Sequence, residues 1–208
     1  MNIILMGCPG AGKGTQSAKL QDAYELQHVS TGDLLRAEIT SGSALGKQVA
    51  DIINKGNLAS DELMISLLAA RVQNTNKGII FDGFPRTVAQ AQALEKMLQQ
   101  YGRSITQVIM IDLPEEEVIR RLSSRRLCKV CSKPASTVTQ STCDCGGELY
   151  VRADDTPESV KHRLEVYKKQ TLPVREYYRN SGKYAEINGN QMPEKVFEDI
   201  CAVLEKVK

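Results

Sequence analysis

Short apolar runs alternate along this chain with longer stretches whose apolar residues recur at helical spacing. The short runs cover residues 2–6, 27–30, 79–81, 107–113 and 183–187. They read as apolar on both faces rather than alternating, as expected of parallel strands buried between helices. Helical patterns fill the gaps. One spans 13–24, and another spans 61–72 behind Ser60, a good cap, with Asp61 and Glu62 in its first turn. A third, 87–100, is rich in Ala, Leu and Gln. Pro114 opens a fourth with three glutamates beside its positive end. Thr156-Pro157 opens a long helix that Pro173 should kink. The last, from Pro193, puts Val196, Phe197, Ile200, Val203, Leu204 and Val207 on one face. Strand and helix in repetition predict a doubly wound α/β core with a parallel sheet and right-handed crossovers.

Two crossovers are too rich to be plain connections. Residues 30–59 hold two short helical patterns around Ser41-Gly42-Ser43, ending at Lys55-Gly56-Asn57. Residues 122–155 hold four cysteines, Thr/Ser clusters and Gly146-Gly147. Both are expected to be small insert domains on a core formed by 1–29, 60–121 and 156–208. No low-complexity tract or solenoid repeat interrupts this plan.

The composition excludes several classes. With 208 residues the chain can bury a core without covalent staples. It has 27 Lys plus Arg against 25 Asp plus Glu, a net charge of +2, so binding of nucleic acid through bulk charge is not expected. Trp is absent and aromatics make up 5%, which argues against stacking platforms for single strands. No stretch approaches a membrane span, and the apolar start lacks a basic region and runs straight into Gly7-Cys8-Pro9-Gly10, so a cytoplasmic protein is expected. Disulfides are rare there, and the six cysteines need another explanation.

Three features carry chemistry. Gly7-Cys8-Pro9-Gly10-Ala11-Gly12-Lys13-Gly14-Thr15 lies between the first strand and the first helix. Its glycines let successive N–H groups turn inward as an anion nest on a helix N-terminus. Lys13 can reach terminal phosphates and Thr15 can face magnesium. The strict phosphate-loop pattern has Ser or Thr directly after the lysine, whereas here Gly14 intervenes. The second feature, Asp82-Gly83-Phe84-Pro85-Arg86, falls at the carboxyl end of a buried strand, where open α/β sheets bind ligands. Asp82 can hold magnesium through water, and Arg86 suits phosphate oxygens. The third is a set of arginines in and beside the second insert: Arg120, Arg121, Arg125, Arg126, Arg152 and Arg163. On a closing flap they would stabilise a transferred phosphoryl group and exclude water.

Together, Gly12-Lys13-Gly14-Thr15-Gln16, the segment from Ser30-Thr31-Gly32-Asp33 to Arg36, Asp82 to Thr87, and Arg152-Ala153-Asp154-Asp155 resemble the adenylate kinases in their long-lid bacterial form. The resemblance covers the whole chain. It implies a five-stranded parallel phosphate-loop core carrying a nucleoside-monophosphate-binding insert (30–59) and a lid insert (122–155). It implies Mg-dependent, reversible transfer of the ATP terminal phosphate to AMP, with ATP, AMP and ADP as the partners of a monomer, and no nucleic acid or membrane. By the same resemblance, Gly10, Ala11, Gly12, Lys13, Gly14 and Thr15 wrap the ATP phosphates. Thr31, Arg36 and the backbone of Asn57, Leu58 and Ala59 hold AMP, with Gly83, Phe84, Pro85 and Arg86, while Gln90 reads the adenine edge. Arg121, Arg125, Arg152 and Arg163 close on phosphate, and Gln191 marks the loop at the ATP base. Ala59-Ser60 replaces a common Val-Pro, and Pro134-Ala135 replaces the pair that usually touches ATP.

A GTPase-type switch would need a base-reading Asn-Lys-x-Asp segment, which is absent from the sequence, and a zinc-ribbon nucleic-acid module fits neither charge nor aromatics. The closest alternative is a UMP/CMP kinase, which resembles this chain but usually has Ala at the position of Thr31 and a short lid. In the lid, Cys128-x-x-Cys131 has the spacing of a zinc knuckle. The second pair, Cys143-Asp144-Cys145, is one residue shorter than usual in this family. That spacing either bends the knuckle or lets Asp144 replace a thiolate. A structural zinc on Cys128, Cys131, Cys143 and Cys145 is expected, because the insert has too few apolar residues to hold itself. Idle thiols and a redox disulfide are the alternatives.

Overall fold

The computed structural model describes residues 1–55, 57–135 and 139–207. Gly56, at the expected end of the second helical pattern, and 136–138 of the Thr/Ser-rich stretch lie outside the described residues. Five parallel strands form the central sheet: β1 (Asn2–Gly7), β2 (Gln27–Ser30), β3 (Ile79–Asp82), β4 (Gln107–Asp112) and, counted after a lid hairpin, β7 (Tyr184–Asn188). Their spatial order is β2-β3-β1-β4-β7. The lid hairpin pairs β5 (Leu127–Cys128) with β6 (Leu149–Tyr150), antiparallel.

Alternate residues of β1, β3 and β4 enter two separate cores, which explains why these runs are apolar on both faces. The expectation fails at the sheet edges, where β2 and β7 keep polar residues and bury only Val29 and Ile187. Ile4, Met6, Phe81 and Met110 face one side, against α4 (Asp61–Gln73), α5 (Val88–Gln100) and α8 (Leu172–Arg179). Ile3, Leu5, Ile80 and Ile111 face the other, against α1 (Lys13–Tyr24), α6 (Glu115–Ser124), α7 (Pro157–Val166) and α9 (Pro193–Leu204). The crossover after β2 forms α2 (Thr31–Ser41) and α3 (Ala44–Asn54), parted at Gly42, whose φ of 68° closes the first of them. Leu35 and Val49 of this pair join the first core.

Some local expectations shift. Thr87 caps α5 instead of lying in it, and Pro114 stands just before α6. The residues before Pro173 open into a π-turn (Tyr167–Thr171), where the missing proline N–H is accommodated. Val207, expected on the buried face of α9, is 40% exposed, because the α-helix ends at Leu204 and the chain tightens into a 3-10 turn. Among the described residues, no helix is long and apolar enough to cross a membrane.

Candidate functional site

The carboxyl ends of β1, β2 and β3 open into one cleft. The glycine-rich turn joins β1 to α1 there, with positive φ at Gly10 (81°) and Gly12 (93°), values that favour glycine. A Cβ on Gly10 would also press Leu122 Cγ of α6 at 3.1 Å. Lys13 opens α1 and lies back over the turn, donating to Gly7 O at 2.9 Å and Cys8 O at 3.0 Å. Burial lowers its pKa, and the negative charge of Asp82 opposes that effect. Ala11 is buried, Thr15 half-buried and Gly14 exposed. Cys8 is buried, and burial pushes its thiol pKa up, so it is an inert part of the turn.

Asp82 ends β3 and is 8% exposed, 3.2 Å from His28 Nε2 on the neighbouring strand. Thr31 Oγ1 donates to Gly83 O at 3.0 Å, and Arg86 Nε donates to the same carbonyl at 2.7 Å. Gly83 has a φ of 76°, and a Cβ there would meet Thr31 Oγ1 at 3.0 Å. Burial lowers the Arg86 pKa; Asp82 counters it, while Arg36 and Arg152 add to it. A cationic pocket results beside the phosphate-loop turn.

The cleft lining brings together most of the residues expected on the acceptor side: Thr31, Arg36, Asn57, Leu58, Ala59, Gly83, Phe84, Arg86 and Gln90. Arg152 and Arg163 reach it from the opposite wall. Pro85 is buried behind it, after a cis peptide bond. Arg36 is held by Asp33 within α2. Gln90 is 2% exposed, and its amide is bonded at both ends. Its Oε1 accepts the Arg86 N–H at 2.7 Å, and its Nε2 donates to Asp61 Oδ1 at 2.7 Å.

Three of the expected arginines are tied to two adjacent carboxylates. Arg125 binds Asp155 through Nε and Nη2 at 2.7 and 2.6 Å. Arg152 binds Asp154 at 2.8 and 2.5 Å. Arg163 donates to Asp155 Oδ1 at 3.1 Å and to the Asp154 carbonyl at 2.9 Å. Burial alone would raise the Asp154 pKa, but Arg163 and Arg152 hold it below the usual range. Burial also lowers Arg163 to about 10. Arg121 sits apart from this group. It donates to Glu117 at 2.7 Å and to Gly189 O at 3.0 Å, joining α6 to the loop that carries Gln191. The Gln191 side chain is itself bonded to Asp199 Oδ2 at 2.6 Å. Arg120 and Arg126 are exposed.

A model of the family described as adenylate kinase matches residues 5–183. The chain belongs to the adenylate kinase family. Its relatives named adenylate kinase include one from Desulfitobacterium hafniense (strain DSM 10664 / DCB-2), 46% identical over 213 residues, covering 99% of this chain and 98% of that protein. Another, from Geobacillus sp. (strain WCH70), is 47% identical over 212 residues, covering 98% of each. A third, from Archaeoglobus fulgidus (strain ATCC 49558 / DSM 4304 / JCM 9628 / NBRC 100126 / VC-16), is 43% identical over 216 residues and spans both chains fully.

The four cysteines of the crossover between α6 and α7 converge. The Sγ atoms of Cys128, Cys131, Cys143 and Cys145 all lie within 4.8 Å of one another, with Cys128–Cys145 and Cys131–Cys143 both 3.5 Å apart. Four thiolates about 2.3 Å from one zinc would stand roughly 3.8 Å apart, so the donor set fits a closed tetrahedral site. The N–H groups of Cys131 and Val130 point at Cys128 Sγ and lower its pKa to about 6. The one-residue spacing is met by bending. Gly146 takes a φ of 80°, and a Cβ on Gly147 would lie 2.5 Å from Cys128 Sγ. The Asp144 carboxylate instead accepts from Gln140 Nε2 at 2.8 Å.

Sequence reading did not find the roles of Asp154, Asp155, His28 and Asp61. Two adjacent acids just beyond Arg152, after Ala153, were the available signal for the first pair. His28 and Asp61 gave none, since each meets its partner only through the fold.

Proposed function

We propose that this chain transfers the terminal phosphate of ATP to AMP, reversibly and in line, giving two ADP. One observation carries the reading. A second, arginine-lined pocket with a buried amide at its base faces the phosphate-loop turn across Asp82. A kinase acting on water would not need it. Gly10 to Thr15 bind the donor phosphates through N–H groups, and Lys13 leaves the Gly7 and Cys8 carbonyls to follow them. Thr31, Arg36, Arg86 and the 57–59 backbone hold the acceptor phosphate and sugar, and Gln90 faces the base. Arg121, Arg125, Arg152 and Arg163 surround the transferred group, exclude water and match the charge that develops in the transition state. The 189–191 loop, which Arg121 ties to α6, flanks the donor base.

Asp82, nearly buried and next to the phosphate loop, suits a water-held magnesium ion. Magnesium bound with ATP supplies neutralisation of the phosphate oxygens. Zinc on the four lid thiolates would hold the lid together and take no part in the chemistry. Residues 30–59 and 122–155 are the moving inserts. The protein is proposed to work as a cytoplasmic monomer on small nucleotides rather than on nucleic acid or membrane, which the balanced charge supports. A UMP/CMP kinase is not favoured, since the relatives are named adenylate kinase and Thr31 stands in the acceptor pocket. The test is transfer from ATP labelled in its terminal phosphate. Label should pass to AMP-derived ADP and never to denatured protein; a labelled phosphoenzyme would overturn direct transfer.

A further inference from the structure

Gln90 and Asp61 are far apart in sequence, yet their side chains form a partly buried polar contact behind the acceptor pocket that Gln90 lines. An amide side chain has two ends of similar shape and opposite hydrogen-bonding character. A glutamine that is free to flip can therefore read either adenine, with its N6 donor and N1 acceptor, or a 6-oxopurine, with its O6 acceptor and N1 donor. Here both ends are committed. The Arg86 N–H can only donate, so it requires Oε1. The Asp61 carboxylate accepts, so it requires Nε2. After these bonds the amide keeps one lone pair on Oε1 and one N–H on Nε2, the set that pairs with adenine and mismatches a 6-oxopurine.

We infer that Asp61 is a positioning residue for base selection: by holding Gln90 Nε2, it fixes the amide in the orientation that accepts AMP and rejects IMP and GMP. The inference rests on the proposed reading that Gln90 faces the acceptor base. Arg86 N–H alone is a weaker lock, because a flipped amide would lose one neutral bond there but would set Oε1 against a carboxylate at Asp61. The charged partner makes the flip costly. A site built this way discriminates strongly, since the wrong base leaves buried polar groups unpaired.

Asp61 also lies in the first turn of α4, where any acid favours the helix. The test must separate that contribution. Steady-state acceptor kinetics with AMP and with IMP would be measured for the native chain, Asp61→Ala, Glu62→Gln and Gln90→Leu. Asp61→Ala should raise KM for AMP about tenfold, with the change in KM rather than kcat, and shrink the AMP-over-IMP preference by about tenfold or more. Glu62→Gln removes an exposed charge from the same first turn and leaves the Asp61–Gln90 bond in place, so it should retain the preference within about threefold. If Asp61→Ala does not fold, Asp61→Ser, a helix-start residue too short to reach Gln90, takes its place. Native preference in the Ala or Ser variant would overturn the inference, as would equal loss in Glu62→Gln and Asp61→Ala, which would assign the effect to helix charge. Gln90→Leu separates the two levels. If it keeps the AMP preference, Gln90 does not read the base at all. If it loses the preference while Asp61→Ala keeps it, only the role of Asp61 fails.

Discussion

Replacing Asp155 by Asn tests how the arginines of the lid border are held. The Asp155 side chain is 0% exposed and takes three guanidinium N–H bonds, two from Arg125 and one from Arg163. Asn keeps the shape but removes the charge, and it turns an NH2 toward one of the donors. Removing one partner of a buried charge pair costs about 3–5 kcal/mol. Arg163 retains Asp154, and Arg125 is 19% exposed, so the lower end of the range applies, about 3 kcal/mol. With a urea m-value of about 2–3 kcal/mol/M, the unfolding midpoint should drop by about 1 M. Turnover should fall at least about tenfold, because Arg125 and Arg163 lose their orientation toward phosphate. Urea titration followed by circular dichroism, with the exposed Asp22→Asn as a control, reads the first effect, and coupled ADP formation reads the second. A midpoint within about 0.2 M of the native chain, with unchanged turnover, would refute the view that Asp155 organises these arginines.

Lys13→Met should lower kcat by roughly a thousandfold or more while nucleotide binding persists, since it removes a charge used chiefly in the transition state; near-normal turnover would exclude the phosphate-loop assignment. Gly147→Ala should push a methyl group into Cys128 Sγ, lower the zinc content below one per chain by elemental analysis, and loosen the lid to proteolysis. Chelation of the native protein should lower the unfolding temperature in the same direction. The carboxyls of Asp154 and Glu117 are held low, Glu117 at about 2 by its hydrogen bonds from Arg120 and Arg121. A carboxyl lowered by folding contributes stability that is complete above its unfolded value and fades as pH falls toward the folded one. Stability should therefore decline on acidification from about pH 4.5 to 2, and Glu117→Gln should flatten that slope.

The motifs whose chemistry is local were readable from the chain. The glycine and lysine spacing of residues 7–15 needs only a strand before it and a helix after it, and both are present. β1, β3 and β4 were readable because both faces are buried, so each appears as a mostly apolar run, whereas the edge strands β2 and β7 bury only Val29 and Ile187 and carry a weaker signal. The cysteine cluster followed from its own spacing, but the bend at Gly146 and the close approach at Gly147 depend on where Cys128 lies across the hairpin. The pairs Gln90–Asp61, Asp82–His28 and Asn57–His162, the last at 2.8 Å, join segments from different crossovers. Asp82 belongs to a motif of its own, but nothing local pairs either residue with its partner, and only the winding of the chain brings them together.

The most direct test is ADP formation from Mg-ATP with AMP, UMP, CMP and GMP supplied in turn as the only acceptor. Adenylate kinase activity predicts rapid ADP formation with AMP and at least about a hundredfold lower kcat/KM with the other three, as expected of a pocket whose polar groups are set for one base. UMP or CMP phosphorylated as well as AMP would contradict it.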